Sequence, residues 1–159
     1  MTTTAVRSAL VALLQSVPEI GRVHAYERFA ARTQDFLALY TDGGASSVVR
    51  GWFVARLAVP RRRALASGRT LVTTRWAIRG FLSLIDGEAS ALAADELCDD
   101  IIAAERADPT LGGVVRGAPI DGMSGIRLEK IGPVMFAGVL CHGAELVLDV
   151  ETLEPAVAI

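Results

Sequence analysis

The clearest pattern in the chain is an alternation of apolar and polar residues over two long runs between Val48 and Leu84. The first reads Val-Val-Arg-Gly-Trp-Phe-Val-Ala-Arg-Leu-Ala-Val-Pro. The second reads Arg-Thr-Leu-Val-Thr-Thr-Arg-Trp-Ala-Ile-Arg-Gly-Phe-Leu-Ser-Leu, starting at Arg69. Valine, threonine and aromatic residues suit a pleated, half-buried surface, so both runs predict strands. Arg61-Arg62-Arg63 and a turn at Ser67-Gly68 join them into a long hairpin. Because the side-chain period of a strand is two, Phe53, Ala55, Leu57 and Val59 share one side of the first run, and Arg50, Trp52, Val54 and Arg56 the other. In the second run Val72, Thr74, Trp76, Ile78 and Leu82 share one side, with Arg75 and Arg79 opposite. If the mostly apolar sides face the core, Arg50, Arg56, Arg75 and Arg79 lie on one outer face with Trp52, and Arg61, Arg62 and Arg63 sit at the hairpin tip.

Helical spacing appears in three other places. Val6, Leu10, Leu13, Leu14 and Val17 predict a first helix, capped by Thr4, running to about Ser16 and stopped by Pro18. Phe29, Phe36, Leu37 and Tyr40 place a second over Ala30 to Tyr40, ended by Asp42-Gly43-Gly44. A third runs from Glu88 to Ala107, with Ala89, Ala93, Leu97, Ile101 and Ala104 as its buried stripe and Leu92 broadening it. Glu88, Asp95, Glu96, Asp99, Asp100 and Glu105 make it strongly acidic. Arg22 to Arg28 reads as a short strand. After a glycine- and proline-punctuated connector from Asp108 to Gly125, Ile126 to Ile131 and Met135 to Val150 read as two more, the last bent near Gly138 or Gly143. Leu146, Leu148 and Val150 would face the core, leaving Glu145 and Asp149 to pair with arginines on the outer face. The expected fold is α+β: one domain over residues 1–159, with a single mixed or antiparallel sheet of about four to five strands, helices packed on one face, and residues 154–159 loosely held.

With 159 residues, 52% of them hydrophobic, the chain can bury a sizeable core without metal or disulfide staples. No apolar run approaches the ~20 residues of a membrane helix, and the first residues lack the pattern of a signal peptide. A net charge of −2 argues against a general nucleic-acid binder, yet eight of the sixteen basic residues fall between Arg50 and Arg79. Fifteen of the sixteen are arginine, which fits either genome composition or interface ion pairing. Cys98 and Cys141 imply no disulfide framework; they read as buried thiols, with pairing to each other or across subunits left open.

Catalytic constellations are weak. Cys141-His142 resembles a nucleophile beside a base, but neighbours on a strand point to opposite faces. His24, Cys98, Cys141 and His142 lack the close spacing of a zinc knuckle. Gly117 to Ser124 imitates a phosphate loop with Met123 where lysine belongs. Arginines with a tryptophan among them suit a protein interface or phosphate contacts, and the acidic balance favours protein.

Several short stretches carry a family resemblance. Arg50-Gly51-Trp52, Ile78-Arg79-Gly80-Phe81, Thr110-Leu111-Gly112-Gly113 and Leu140-Cys141-His142-Gly143-Ala144-Glu145-Leu146, in this order of elements, resemble the tail terminators of tailed bacteriophages, also called tail completion proteins, including those of contractile tails. The similarity spans about residues 5 to 150. It implies an α/β fold and a virion protein assembled in the host cytoplasm. It further implies a hexameric ring on the head-proximal end of the tail tube that stops polymerisation, without catalysis or cofactor. Partners would be further copies of the chain, the tube protein, sheath protein in a contractile tail, and neck or head-completion proteins, with DNA passing through the lumen. A neck connector and a small nucleic-acid-binding module are the alternatives. In the ring reading, Asp95, Asp99 and Asp100 on the acidic helix face the arginine hairpin of the next copy.

Overall fold

A computed structural model describes residues 3–41, 48–58, 60–116 and 125–156. Its elements are α1 (Thr3–Gln15), β1 (Arg22–His24), α2 (Thr33–Leu39), β2 (Arg50–Arg56), β3 (Arg61–Ala64), β4 (Thr70–Ser83), α3 (Ser90–Ala107), β5 (Arg127–Phe136) and β6 (Val139–Glu154). A single 3-10 turn, Asp86–Glu88, precedes α3. The strands form one six-stranded mixed sheet in the order β1-β2-β4-β6-β5, with β3 also paired to β4. Only β1–β2 is parallel; the other pairs are antiparallel. The fold class is the expected α+β, with one strand more than foreseen at the upper bound.

The extra strand comes from the arginine connector. The hairpin's first arm leaves the ladder after Leu57, whose N–H still bonds the Arg75 carbonyl at 2.9 Å. It re-enters as β3, with Arg61 opposite Thr73 and Arg63 opposite Leu71. Arg61, Arg62 and Arg63 therefore stand in a strand, and the tip is the turn at Leu65–Arg69, where Gly68 adopts φ +77°. At the other hairpin, Ala137 and Gly138 take φ of 48° and 80° between β5 and β6. Two left-handed central residues make a type I′ turn, which matches the twist of the strands it joins. Met135 and Phe136 consequently belong to β5, not to the last strand.

The register of β2 on β4 overturns the expected faces. Trp52 lies opposite Gly80, Val54 opposite Ile78 and Arg56 opposite Trp76. Directly opposed residues of an antiparallel pair share a face, so Trp52 joins Trp76 and Ile78 in the main core and is fully buried. Its indole N–H donates to the Ile20 carbonyl at 3.0 Å. Arg50 and Arg56 lie on this same side, at its margins. Arg75 and Arg79 lie on the other side, with Phe53 and Ala55. Both sides of β2 are apolar in its middle, so alternation identified the two sets of residues without saying which belonged inside.

The long helices α1 and α3 cover the Trp52 face. Val6, Leu10 and Leu14 of α1 pack with Leu97, Cys98 and Ile101 of α3 over Trp52, Trp76, Ile78, Leu146 and Leu148. Thr4 lies inside α1 and is not its cap. The buried stripe of α3 is Ala94, Leu97, Cys98, Ile101 and Glu105. Ala89, Ala93 and Leu92 are exposed instead; Ala89 is the left-handed residue just before the helix. The opposite face carries a smaller aromatic cluster at one end, where Tyr40, following α2, meets Phe53, Phe81 and Phe136. Phe29, expected to share the helical face, precedes α2 and is exposed, stacked on Phe36. The Asp42–Gly44 break, Val59, the Gly117–Ser124 segment and the last three residues of the tail lie outside the described residues.

Gly80 is required by the tryptophan. A Cβ at this position would overlap the six-membered ring of Trp52. Overpacking of this kind costs about 1–3 kcal/mol. We predict that Gly80→Ala lowers the unfolding free energy by about that amount, measured by urea denaturation. A wild-type midpoint would show that the indole is not pressed against the β4 backbone.

Candidate functional site

The face of the sheet away from α1 and α3 is charged beyond the aromatic cluster, and the register builds it. Arg75 stands opposite Asp149 and Arg79 opposite Glu145. The Arg75 fork donates Nε to Asp149 Oδ1 at 2.8 Å and Nη2 to Oδ2 at 2.9 Å. Arg79 Nε donates to Glu145 Oε2 at 2.6 Å. Arg127 approaches Asp149 from β5, its Nη2 3.9 Å from Oδ2. Such bidentate, charge-assisted bonds are the stronger kind of ion pair. The hydrogen bonds from Arg75, then the nearby charges of Arg75, Arg127 and Arg61, hold the Asp149 carboxyl below its usual range against the opposing effect of burial. The same hydrogen bond pushes Arg75 upward. The carboxylates expected on this face are there, paired with these two arginines. Ala77 and Val147 between them are buried, although no described helix covers them, so the ion-paired side chains are their cover.

Beside this ladder the arginines are differently disposed. Arg61 and Arg63 project on the same side as Arg75, are exposed, and make no ion pair with any described residue. Arg61 borders an open cleft of about 290 Å³ with Ala58, Thr73, Arg75 and Asp149. Arg62, one residue out of phase, lies on the other side and pairs with Glu154 at 3.1 Å. That pair joins β3 to Glu154, the last residue of β6.

On the far side of the sheet, α3 turns Asp95, Glu96, Asp99 and Asp100 to solvent. Successive helical residues are about 100° apart, which sets these four on the arc opposite Ala94, Leu97 and Ile101. None has an ion-pair partner among the described residues. Glu105, read as part of the same acidic set, is instead buried, and its Oε2 accepts the N–H of Ile126 at 3.4 Å. The structure thus separates the candidate residues into four groups. Arg75 and Arg79 are paired on the open face, and beside them Arg61 and Arg63 have no ion pair among the described residues. Asp95, Asp99 and Asp100 on the helix likewise have none among the described residues. Trp52, with Arg50, Arg56 and Arg62, lies on the core side.

The thiols and imidazoles do not converge. Cys98 lies in α3 over the main core and Cys141 in the aromatic cluster on the opposite side of the sheet; both are free and buried. Burial pushes each thiol up to about 11, helped at Cys98 by Asp95 and Asp99. His142 points away from Cys141, as strand geometry requires. Its Nε2 shares a hydrogen bond with the hydroxyl of Ser90 at 2.8 Å, and that oxygen accepts the Ile85 N–H at 2.8 Å. This link between β6 and the start of α3 left no sequence signal, because Ser90 and His142 are 52 residues apart. Among the described residues no three of His, Cys, Asp and Glu gather as metal ligands. No protein-family model matches the chain, and no curated protein matches it.

Two predictions follow from these environments. Asp149 is depressed on folding, so its contribution to stability is present above the unfolded value near ~4 and is lost as pH falls through its folded value. Asp149→Asn should therefore flatten the acid limb of the stability–pH curve; an unchanged limb would place the acid sensitivity elsewhere. Cys98 and Cys141 should resist a disulfide reagent in the native protein at mildly alkaline pH and react once it is denatured, since the thiolate is the reactive form. Rapid native labelling of either would contradict the burial described above.

Proposed function

We infer that this chain is a structural ring protein of a phage tail, a tail terminator that caps the head-proximal end of the tube. The observation that carries this reading is a pair of charge sets, without ion pairs among the described residues, on opposite sides of one sheet. Asp95, Glu96, Asp99 and Asp100 face outward from α3, and Arg61 and Arg63 face outward from the open side. A surface complementary to a different surface of the same molecule supports head-to-tail association, which closes into a ring when the rotation permits. Complementary charges of this kind set register and reject wrong partners more than they add affinity.

The sheet edges favour contact by faces over extension of the sheet. β3 is four residues long and arginine-bearing, while β5 carries a register shift between Leu128 and Lys130 and contains Pro133. Short, charged, bulged and proline-containing edges discourage strand addition. The resemblance of the motifs to tail terminators supplies the rest: a ring of about six copies, the tube on one side, neck proteins on the other, and sheath in a contractile tail.

The test is electron microscopy of a phage lysate made without this chain. Overlong, headless tails are the expected result. Tails of normal length detached from filled heads would reassign the chain to the neck, and intact infectious particles would remove it from tail assembly.

A further inference from the structure

The open face of the sheet dips where its side chains run out. Phe81 stands opposite Gly143, and Gly143 opposite Gly132, across β4, β6 and β5. Directly opposed residues share a face, so the two glycines leave bare backbone beside Phe81. The next row toward β3 holds Arg79, Glu145 and Lys130, and Val134 stands on the hairpin side. Between them is a groove of about 160 Å³ whose lining includes Arg79, Phe81, Lys130, Val134, Gly143 and Glu145. A Cβ on Gly143 would collide with Val134, whereas one on Gly132 would meet nothing within 4 Å, so room for a side chain remains there.

The other side of the sheet carries an exposed apolar patch at the same end. Met135 and Leu140 are directly opposed beside the β5–β6 turn and are 67% and 46% exposed. Leu140 shares its face with His142, which bonds Ser90 of α3, so the patch lies on the helix side. Ile85, also exposed, adjoins it, because the Leu84 N–H donates to the Leu140 carbonyl at 3.1 Å. Adjoining apolar side chains left in water are the kind of surface that marks an interaction site. From this patch α3 runs toward β3: Ser90 bonds His142, while Glu105 bonds Ile126, next to the Arg127 that stands opposite Val147. The carboxylates of Asp95, Glu96, Asp99 and Asp100 therefore lie beyond the patch. Both sides of the sheet read alike from the hairpin toward β3, apolar first and charged after. On the open side the groove comes first and Arg61 and Arg63 follow, opposite Thr73 and Leu71.

We propose that the Met135–Leu140 patch of one copy seats in the groove over Gly132 and Gly143 of the next. The occupant is a second copy because the order of the two sides matches while their charges are opposite. With strands aligned in the same sense, seating the patch also brings the α3 carboxylates to the side that bears Lys130, Arg61 and Arg63. The contact rests on the ring reading and supplies its apolar part, since exposed ion pairs alone add little affinity and burial of apolar surface drives most association.

Crosslinking tests the contact. Met135→Cys and Lys130→Cys, both at exposed positions, are made as separate proteins, mixed and treated with a short bismaleimide; the untreated mixture is sedimented alongside. The mixture should give a band of twice the chain mass that neither variant gives alone, while the buried Cys98 and Cys141 stay unlabelled. Gly132→Leu should fill the groove from within, keep the native unfolding midpoint, and raise the concentration needed for ring formation about tenfold. Rings without the mixed crosslink, or Gly132→Leu rings at the wild-type concentration, overturn this contact and leave the ring reading standing. A Met135→Cys protein that crosslinks to itself makes the patch its own partner and also overturns it. A wild-type chain that stays monomeric removes the ring reading and this contact together.

Discussion

The packing of Trp52 across Gly80 is the constraint on which the rest of this molecule depends. The indole lies over a glycine of the neighbouring strand and also reaches the Ile20 carbonyl beyond α1. One side chain thus couples the β2–β4 register to the seating of the first helix. A slip of one residue would turn every side chain on the strand to the other face. Trp52 would then leave the core, and a residue with a Cβ would replace Gly80 beneath it. The same register puts Arg75 and Arg79 on the open side, directly across from Asp149 and Glu145 on β6. Core packing and surface charge are consequently set by a single alignment.

That alignment sorts the charged residues into two kinds. Arg75, Arg79, Asp149 and Glu145 satisfy each other and shield Ala77 and Val147, so their work is internal. Arg61 and Arg63 on one side, and the acidic face of α3 on the other, form no ion pair with any described residue, although the charge of Arg61 acts on Asp149 from nearby. They occupy opposite sides of the same sheet, where they cannot reach each other within one copy. The two sets differ in sign and in the side of the sheet they occupy, and the proposed head-to-tail ring rests on that difference.

Much of this was legible in the sequence. Long alternating runs of β-branched and aromatic residues named β2, β4 and β6, and helical spacing placed α1 and α3. The phase of Leu146, Leu148 and Val150 correctly sent Glu145 and Asp149 to the far face. The inward side of β2 was not legible, because Trp52-Phe53-Val54-Ala55 is apolar on both sides and only its pairing with β4 decides. Arg61 to Arg63 looked like a loop because three successive charges show no alternation; they form a strand because both sides of that short edge are wet. The β5–β6 turn was obscured by Ala137, a residue that rarely takes a positive φ, standing where asparagine or glycine would have announced it. Glu105 hid among acidic neighbours, since nothing local marks one carboxylate as the partner of a distant N–H.

The most direct test of the two-faced subunit is sedimentation of two charge-reversed variants, alone and mixed. One carries Asp95→Lys and Asp99→Lys, the other Arg61→Glu and Arg63→Glu. Each alone should fail to form rings, because its two faces now carry the same sign, while an equimolar mixture should associate, through the two unaltered faces and through the two reversed ones, which are again opposite in charge. If either variant alone assembles like the wild type, or the mixture remains monomeric where the wild type forms rings, the acidic face of α3 and the arginines of β3 are not the two halves of one interface.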